Sequence, residues 1–296
     1  MTDLDTNLDT SVEARGPAAV SHSLMLERLS EAADDDFARY EVPYHTFMTG
    51  AELEVQNSEF YGRLVDLHRE LSEAFVLGNV RAIQSWSNGE GEFRVVAKSW
   101  ESVIDKLFRI NIEENELFSN PPIAPTIEDR AAKQKGHLQR WITPDIVHEV
   151  ADDLLRTKFV VPFVDGVVDV GNRITKAIDD CGLRRFRRFH AKDSGYHARH
   201  YYIILPVPTP SGGDATVALE VKVLTTMQDT LGELTHLLYE KHRTGEISAE
   251  KKRKVAWQFG TSDFMATYLG HSGHFLEASV AELKDQILSL RSAPRG

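Results

Sequence analysis

The sequence predicts an α+β fold in which helices flank a small mixed sheet. Segments with apolar residues at helical spacing are interspersed with short runs of β-branched and aromatic residues, and no regular strand–helix–strand repeat orders them. The chain has 296 residues, 42% of them hydrophobic, which is enough for one large domain or two small ones with a real core.

The first half of the chain is expected to be mainly helical. Residues 1–40 are acidic and weakly periodic, which predicts a disordered arm. From Glu59 onward apolar residues recur at helical spacing. A short strand is predicted at 93–97, and Ser99 can cap the helix that follows it. Residues 111–137 include an Asn-Pro-Pro sequence and are predicted to be an insertion on the surface.

The second half carries the remaining predicted strands. The run at 158–164 is β-branched and aromatic, as expected of a buried strand, and 167–178 returns to helical spacing. Two more strands are predicted at 199–207 and 216–224, joined by a turn rich in Gly and Pro. A helix is predicted at 227–239.

These patterns divide the chain into three expected regions: the arm at 1–40, a main domain at 41–245 and a C-terminal helical extension at 246–296. The last predicted helix of the extension places five apolar residues at helical spacing: Phe275, Leu276, Val280, Leu283 and Ile287.

Charge and cysteine content limit the possible partners. A net charge of −11 argues against bulk binding to nucleic acid or to an anionic membrane. Basic runs at 184–188 and 251–254 instead predict a local pocket for a small polyanion. The single Cys181 excludes an internal disulfide and a Cys-based zinc site. With no apolar run near eighteen residues, we expect a cytoplasmic protein without a membrane partner.

The stretch AKSWESVIDK contains the first candidate site. Lys98, Ser102 and Lys106 recur every four residues, so a helix would place two ammonium groups and a hydroxyl on one face near its N-terminus. Such a face can bind a triphosphate. The alternative is an ordinary solvated lysine face.

Two carboxylates form the second candidate. Asp153 directly precedes the strand predicted at 158–164, and Glu220 lies inside another predicted strand, two residues before Lys222. Together they could bind Mg²⁺, or Glu220 could deprotonate a hydroxyl. The alternatives for Asp153 are a helix cap and a turn residue. On the next predicted helix Glu233, His236 and Tyr239 recur at three-residue spacing, and for them the alternative to catalysis is a hydrogen-bonded polar cluster.

The third candidate is the stretch KDSGYHARHYYIILPV, in which a charged turn leads into an apolar strand. Lys192 could neutralise a phosphate, Gly195 permits a close backbone approach, and the ring of Tyr196 could stack on a base. His200 follows on the strand. The pairs His197/His200 and His271/His274 allow a zinc site, although neither has carboxylate or thiolate neighbours at a familiar spacing.

In this order, these segments resemble the synthetase domain of RelA/SpoT-type alarmone synthetases, over residues 60–243. The resemblance implies a nucleotidyltransferase-like sheet and a short member that has the synthetase domain alone. It also implies an Mg²⁺-dependent pyrophosphokinase that transfers pyrophosphate from ATP to the 3′-hydroxyl of a guanosine or adenosine nucleotide.

Residue roles follow from the same resemblance. Asp153 and Glu220 match the catalytic and metal-binding carboxylates. The residues assigned to ATP binding are Arg94, Lys98, Ser102, Lys106 and Lys158. Those assigned to the acceptor are Arg185, Lys192, Tyr196, His200 and Glu233. The chain departs from the family pattern at Val96, Arg156, Lys158, Lys222 and Leu224.

The alternatives within the resemblance are a toxin-type relative that pyrophosphorylates the 3′ end of tRNA and a degenerate protein that only binds nucleotides. An antitoxin-like protein or a second copy of the chain is a further expected partner.

Overall fold

The computed structural model describes residues 20–76, 93–117, 119–209, 213–243 and 260–292. Their strands form one five-stranded sheet in the order β1-β2-β5-β4-β3. The strands are β1 Val96–Ala97, β2 Leu155–Val161, β3 Arg184–Ala191, β4 His197–Pro208 and β5 Asp214–Thr225. β2 and β5 run parallel and the other neighbours antiparallel, so the predicted mixed sheet is confirmed.

Helices flank this sheet, as predicted. They are α1 His22–Ala33, α2 Glu41–Asn57, α3 Glu59–Val76, α4 Trp100–Phe108, α5 Ile127–Ala131, α6 Val147–Val150, α7 Val164–Asp180, α8 Thr226–Arg243 and α9 Ser262–Ser292. The predicted cap of α4 is confirmed, because the Ser99 hydroxyl accepts a hydrogen bond from the Ser102 amide. None of the helices in the described segments is long and apolar enough to cross a membrane.

One face of the sheet is apolar and buried. Side chains alternate between the faces of a strand, and on β5 this face carries Leu219, Val221 and Val223, all fully buried. Helix α7 packs on it with Val170 and Ile174, which belong to the same core. Burial on this face fixes the register of the sheet and therefore decides which residues reach the other face.

The other side is the polar face. The strand register places eight residues on it: Arg156 and Lys158 of β2, Glu220 and Lys222 of β5, His200 and Tyr202 of β4, and Phe186 and Arg188 of β3. Small apolar clusters lie at its two ends. One contains Ile127, Ile204 and Ala218, and the other contains Val160, Ala198 and Leu224. The polar groups thus lie between two apolar boundaries.

The expectation of a disordered arm up to residue 40 is wrong from His22 onward. Helix α1 packs against α4 and buries Met25 and Leu29, which are one turn apart, while Phe37 is fully buried just after it. The two acidic residues of α1, Glu27 and Glu31, are exposed. Residues 1–19 lie outside the described part of the chain.

Residues 111–137 are not a simple surface insertion. The buried Asn111 amide bonds both backbone groups of Ile142, donating to its carbonyl and accepting from its N–H. Ile127 of α5 is buried against the polar side of the sheet. This segment therefore closes one end of the polar face.

Part of the predicted C-terminal extension forms the long helix α9, which packs on α7 and α8. The five apolar residues predicted at helical spacing are on this helix and are exposed, from 43% at Val280 to 71% at Phe275. Residues 244–259, which include the second basic run, lie outside the described residues.

Candidate functional site

Two lysines and an aspartate meet where the polar face begins, just before β2. The ammonium group of Lys106 lies 2.6 Å from one carboxylate oxygen of Asp153, and that of Lys98 lies 2.9 Å from the other. Burial raises the pKa of Asp153, but Lys106 and Lys98 outweigh it and hold that pKa well below its usual range. Burial also lowers the pKa of Lys98.

The predicted single helix face is only partly correct. Ser102 and Lys106 lie on α4, but Lys98 precedes the helix, and its backbone amide bonds the carbonyl of Leu154. The chain before α4 runs beside the start of β2, which brings Lys98 to Asp153. The Ser102 hydroxyl bonds Ser99 in the exposed first turn of α4.

Asp152, which the sequence analysis did not single out, contacts three cations. Its carboxylate oxygens lie 2.9 Å from Arg130, 3.2 Å from Arg188 and 3.4 Å from Lys106. Its adjacency to Asp153 was the one available sequence signal. We call Lys98, Lys106, Asp152 and Asp153 the lysine–aspartate cluster.

Glu220 lies beside this cluster on β5 and is 4% exposed. His200 lies 2.7 Å from one of its oxygens and Lys222 lies 3.4 Å from the other, while Tyr202 is hydrogen-bonded to the same carboxylate. Burial raises the pKa of Glu220, but the bond from His200 and the charge of Lys222 hold it below its usual value. The negative charge of Asp153 acts on it in the opposite direction, so the two carboxylates interact electrostatically.

Next to Glu220 lies a group that we call the tyrosine–histidine cluster, formed by Tyr196, His200, Tyr202 and His190. The Tyr196 hydroxyl lies 3.0 Å from His200 Nε2. Burial and the neighbouring His200 lower the pKa of His190 to about 4. The ammonium of Lys192 lies 5.6 Å from the centre of the Tyr196 ring, and that ring packs on the apolar cluster of Val160, Ala198 and Leu224.

Three other predicted residues lie around these clusters. Lys158 is on the polar face, where its ammonium lies 2.5 Å from Asp229 and 3.3 Å from Glu233 of α8. Glu233 is therefore close to Lys158 and is largely exposed. Arg94 is exposed near the start of β2, where its carbonyl accepts a hydrogen bond from Thr157.

Arg185 does not join the site. Alternation along β3 turns it away from the polar face, and it pairs with Asp179 at the end of α7. Arg188, three residues later, is on the polar face, where it reaches Asp152 and lies over the rings of Phe186 and Tyr202.

The histidine pairs considered for zinc come together differently. His197 stacks on His274 of α9, with ring centres 3.9 Å apart, while His271 lies edge-on at 5.5 Å. His200 is instead engaged by Glu220. Among the described residues, no group of three or more His, Cys, Asp or Glu side chains could hold a metal ion.

Comparisons with known proteins give matches of structure alone. No protein-family model matches the chain, and no curated protein matches its sequence. Solved structures of small alarmone synthetases match most of the chain at low sequence identity.

The small alarmone synthetase 1 from Bacillus subtilis is 15% identical, with 85% of this chain and 97% of that chain covered and a TM-score of 0.47. The structure of the same enzyme bound to its product pppGpp is 14% identical, with coverages of 85% and 97% and a TM-score of 0.45. A GTP pyrophosphokinase family protein from Streptococcus pneumoniae is 17% identical, with coverages of 88% and 98% and a TM-score of 0.44. This chain is similar to these proteins, but the likeness transfers no residue roles to it.

Proposed function

We propose that the protein is an Mg²⁺-dependent pyrophosphokinase that transfers pyrophosphate from ATP to the 3′-hydroxyl of a nucleotide, guanosine before adenosine. One observation carries the proposal: a buried glutamate, Glu220, lies beside the lysine–aspartate cluster on one face of a sheet. Phosphoryl-group chemistry needs cations for the donor phosphates and a base for the attacking hydroxyl, and this arrangement offers both.

The donor phosphates would be bound by the ammonium groups of Lys98 and Lys106. Both now contact Asp153, so binding the donor requires them to exchange a carboxylate for phosphate oxygens. The Ser102 hydroxyl in the exposed first turn of α4 would donate a further hydrogen bond to the phosphates of ATP. The cluster and its neighbours hold four cations, Lys98, Lys106, Arg130 and Arg188, against the two carboxylates of Asp152 and Asp153. Such an excess of positive charge favours an anionic ligand.

Asp153 and Glu220 would hold the magnesium ion. Both are held ionised by neighbouring cationic or hydrogen-bonding groups, and they interact electrostatically. Mg²⁺ prefers oxygen ligands and is commonly bound by one or two carboxylates together with substrate phosphates, which fits a pair of carboxylates without further protein ligands. Bound there, the ion would supply neutralisation of the charge on the transferred group.

The chemical step follows from the position of Glu220. The acceptor 3′-oxygen attacks the β-phosphorus of ATP, the bond from that phosphorus to the α,β-bridging oxygen breaks, and AMP leaves. Glu220 accepts the proton of the attacking hydroxyl, since its carboxylate is ionised at neutral pH. Tyr196 and Lys192 would bind the base and phosphates of the acceptor.

The distribution of the basic run favours a free nucleotide over tRNA. Arg184 pairs with Glu128, Arg185 pairs with Asp179 and Arg188 reaches Asp152, so the run is divided between both faces of β3 and three of its four arginines are already paired. A tRNA acceptor would need a continuous basic track leading from the site.

The test is an acceptor panel with ATP labelled in its β- and γ-phosphates. Purified protein with Mg²⁺ is incubated with GDP, GTP, ADP, ATP or tRNA, and AMP release is measured together with the position of the label. We expect label on GDP or GTP, loss of activity on chelation and recovery on adding Mg²⁺. Label on tRNA alone would establish the toxin-type alternative, and absence of AMP with every acceptor would reject the enzyme.

A further inference from the structure

Three buried or partly buried side chains of the site form a continuous chain of hydrogen bonds. Oε1 of Glu220 lies 2.7 Å from Nδ1 of His200, and Nε2 of the same ring lies 3.0 Å from the hydroxyl of Tyr196. Glu220 is 4% exposed and His200 is 6% exposed, so water does not compete freely for these bonds. The chain thus runs from the proposed base to the ring proposed to stack on the acceptor.

The ionised carboxylate of Glu220 fixes the direction of the first bond, and in a neutral imidazole this also fixes the direction of the second. An ionised carboxylate can only accept, so His200 must donate from Nδ1–H to Glu220. In the neutral imidazole the other nitrogen then carries a lone pair, which accepts the hydroxyl proton of Tyr196. Each group therefore sets the orientation of the next.

Surrounding contacts leave the His200 ring little freedom. The Tyr202 hydroxyl lies 3.2 Å from Nδ1, and the His190 ring centre lies 4.2 Å away on the neighbouring strand. The Tyr196 ring stands edge-on to His200, at an interplanar angle of 87°. Rotating either ring would break a bond to Glu220 or to Tyr196.

We propose that His200 and the hydroxyl of Tyr196 are positioning residues that aim the Glu220 carboxylate, so that the platform for the acceptor and the base that deprotonates it are one connected unit. The catalytic role of this unit rests on the proposed function. The hydrogen-bonded chain from Glu220 through His200 to Tyr196, which we call the relay, does not. The proposal gives the Tyr196 hydroxyl a function, whereas stacking on the acceptor base would need only the ring.

The kinetic test compares variants that separate the ring from its hydroxyl. Tyr196→Phe keeps the ring and loses the relay, so we expect kcat to fall about tenfold, the size of one lost hydrogen bond, with the acceptor KM within about twofold of wild type. Tyr196→Leu removes the ring as well and should also raise the acceptor KM. An unchanged kcat in Tyr196→Phe would contradict the proposal.

The histidine variants provide a matched pair. His200→Asn can still donate to Glu220 from an amide placed near the original Nδ1, whereas His200→Leu cannot, so Asn should retain at least about tenfold more activity. Adding Tyr196→Phe to His200→Asn should cost nothing further, because the bond to Tyr196 is already lost. Additive losses in this cycle, or equal losses in Asn and Leu, would reject a relay. Thermal unfolding of each variant checks that the fold is retained.

An independent measurement does not require activity. In protein with ¹⁵N-labelled histidine, the ring signals of His200 are those that disappear in His200→Asn. We expect them to report a proton on Nδ1 and none on Nε2, with the Nε2 signal shifting in Tyr196→Phe. A proton on Nε2, or an Nε2 signal unaffected by Tyr196→Phe, would overturn the relay. An intact relay in a protein that releases no AMP would instead reject the proposed function.

Discussion

The two clusters on the polar face hold their polar groups in different ways. The lysine–aspartate cluster is built from ion pairs, with Asp153 between two ammonium groups and Asp152 between three cations. The tyrosine–histidine cluster is built from rings and from the hydrogen bonds among them, and its Tyr202 also stacks on Phe186 with ring centres 4.6 Å apart. The first suits phosphates and the second suits a planar ring.

This difference predicts how each cluster responds to mutation. Removing one partner of a buried ion pair leaves a buried charge uncompensated, which typically costs about 3–5 kcal/mol. Removing one hydrogen bond between uncharged groups costs about 1 kcal/mol. The loop residue Gly195, which directly precedes Tyr196, lies against Gly270 and His271 of α9, so the tyrosine–histidine cluster should respond to changes in shape there.

The largest effect is expected at Glu220, which lies between the clusters. Glu220→Gln removes the proposed base and one proposed metal ligand with little change in size, so transfer should fall by about three orders of magnitude or more. Rates of AMP release from folded protein, verified by circular dichroism, measure it. Turnover near wild type would show that another group takes the proton.

A somewhat smaller loss is expected in the lysine–aspartate cluster. Lys106→Met removes a buried cation from both Asp152 and Asp153, and transfer should fall about hundredfold because one charge proposed to stabilise the phosphates of ATP is lost. The variant should also unfold at lower temperature. Lys176→Met on the exposed side of α7 is the matched control and should change neither quantity. If Lys106→Met and Lys176→Met have equal transfer rates, Lys106 does not bind the phosphates of ATP.

A change of shape tests the other cluster. Gly195, at φ +81°, lies against α9, and a Cβ added at Gly270 would lie 2.6 Å from the Gly195 carbonyl oxygen. Gly270→Ala should therefore displace the loop before Tyr196 and raise the acceptor KM about tenfold, while the ATP KM stays unchanged. Gly232→Ala on α8, where a Cβ meets nothing within 4 Å, is the control. If Gly270→Ala raises the KM for the acceptor and the KM for ATP equally, the tyrosine–histidine and lysine–aspartate clusters do not respond separately.

The smallest effect concerns pH. Burial and the neighbouring His274 and His271 lower the pKa of His197 to about 4. In the unfolded chain His197 binds a proton below its ordinary pKa of about 6.5, whereas in the folded protein it stays neutral to lower pH. The stability contributed by neutral His197 is therefore complete above about pH 6.5 and is lost as pH falls toward 4. Asp153, with a lowered pKa, loses its contribution only as pH falls below about 4.

The variant His197→Asn isolates this contribution. The difference in unfolding free energy between wild type and variant should shrink from pH 7 to pH 4.5 in urea titrations. Glu277 of α9, whose pKa is raised by burial to about 7, acts in the opposite direction, but it is present in both proteins and cancels in the difference. A difference that does not change with pH would contradict the lowered pKa of His197.

Much of the fold was predictable because local patterns report burial. The apolar run of β4 and the residues around Glu220 on β5 gave strands within two or three residues of their observed bounds, and Ser99 was correctly predicted as a cap. Strand β3 was missed, since Arg184–Ala191 is an edge strand with exposed residues on both sides and shows no alternation. Helix α1 was missed because the acidic composition of residues 1–40 obscured the helical spacing of Met25 and Leu29.

The sequence by itself determined which residue types the site contains: the spacing within each segment placed Lys106 on a helix and Glu220 inside a strand. Only the tertiary structure decided which of them meet. The parallel pairing of β2 with β5 places Arg156 opposite Glu220 and so brings Asp153 near it, although the two carboxylates are far apart in the chain. The antiparallel register of β3 on β4 likewise turned Arg185 away and brought Arg188 to the polar face. This register follows from burying the opposite face of the whole sheet, which no single segment encodes.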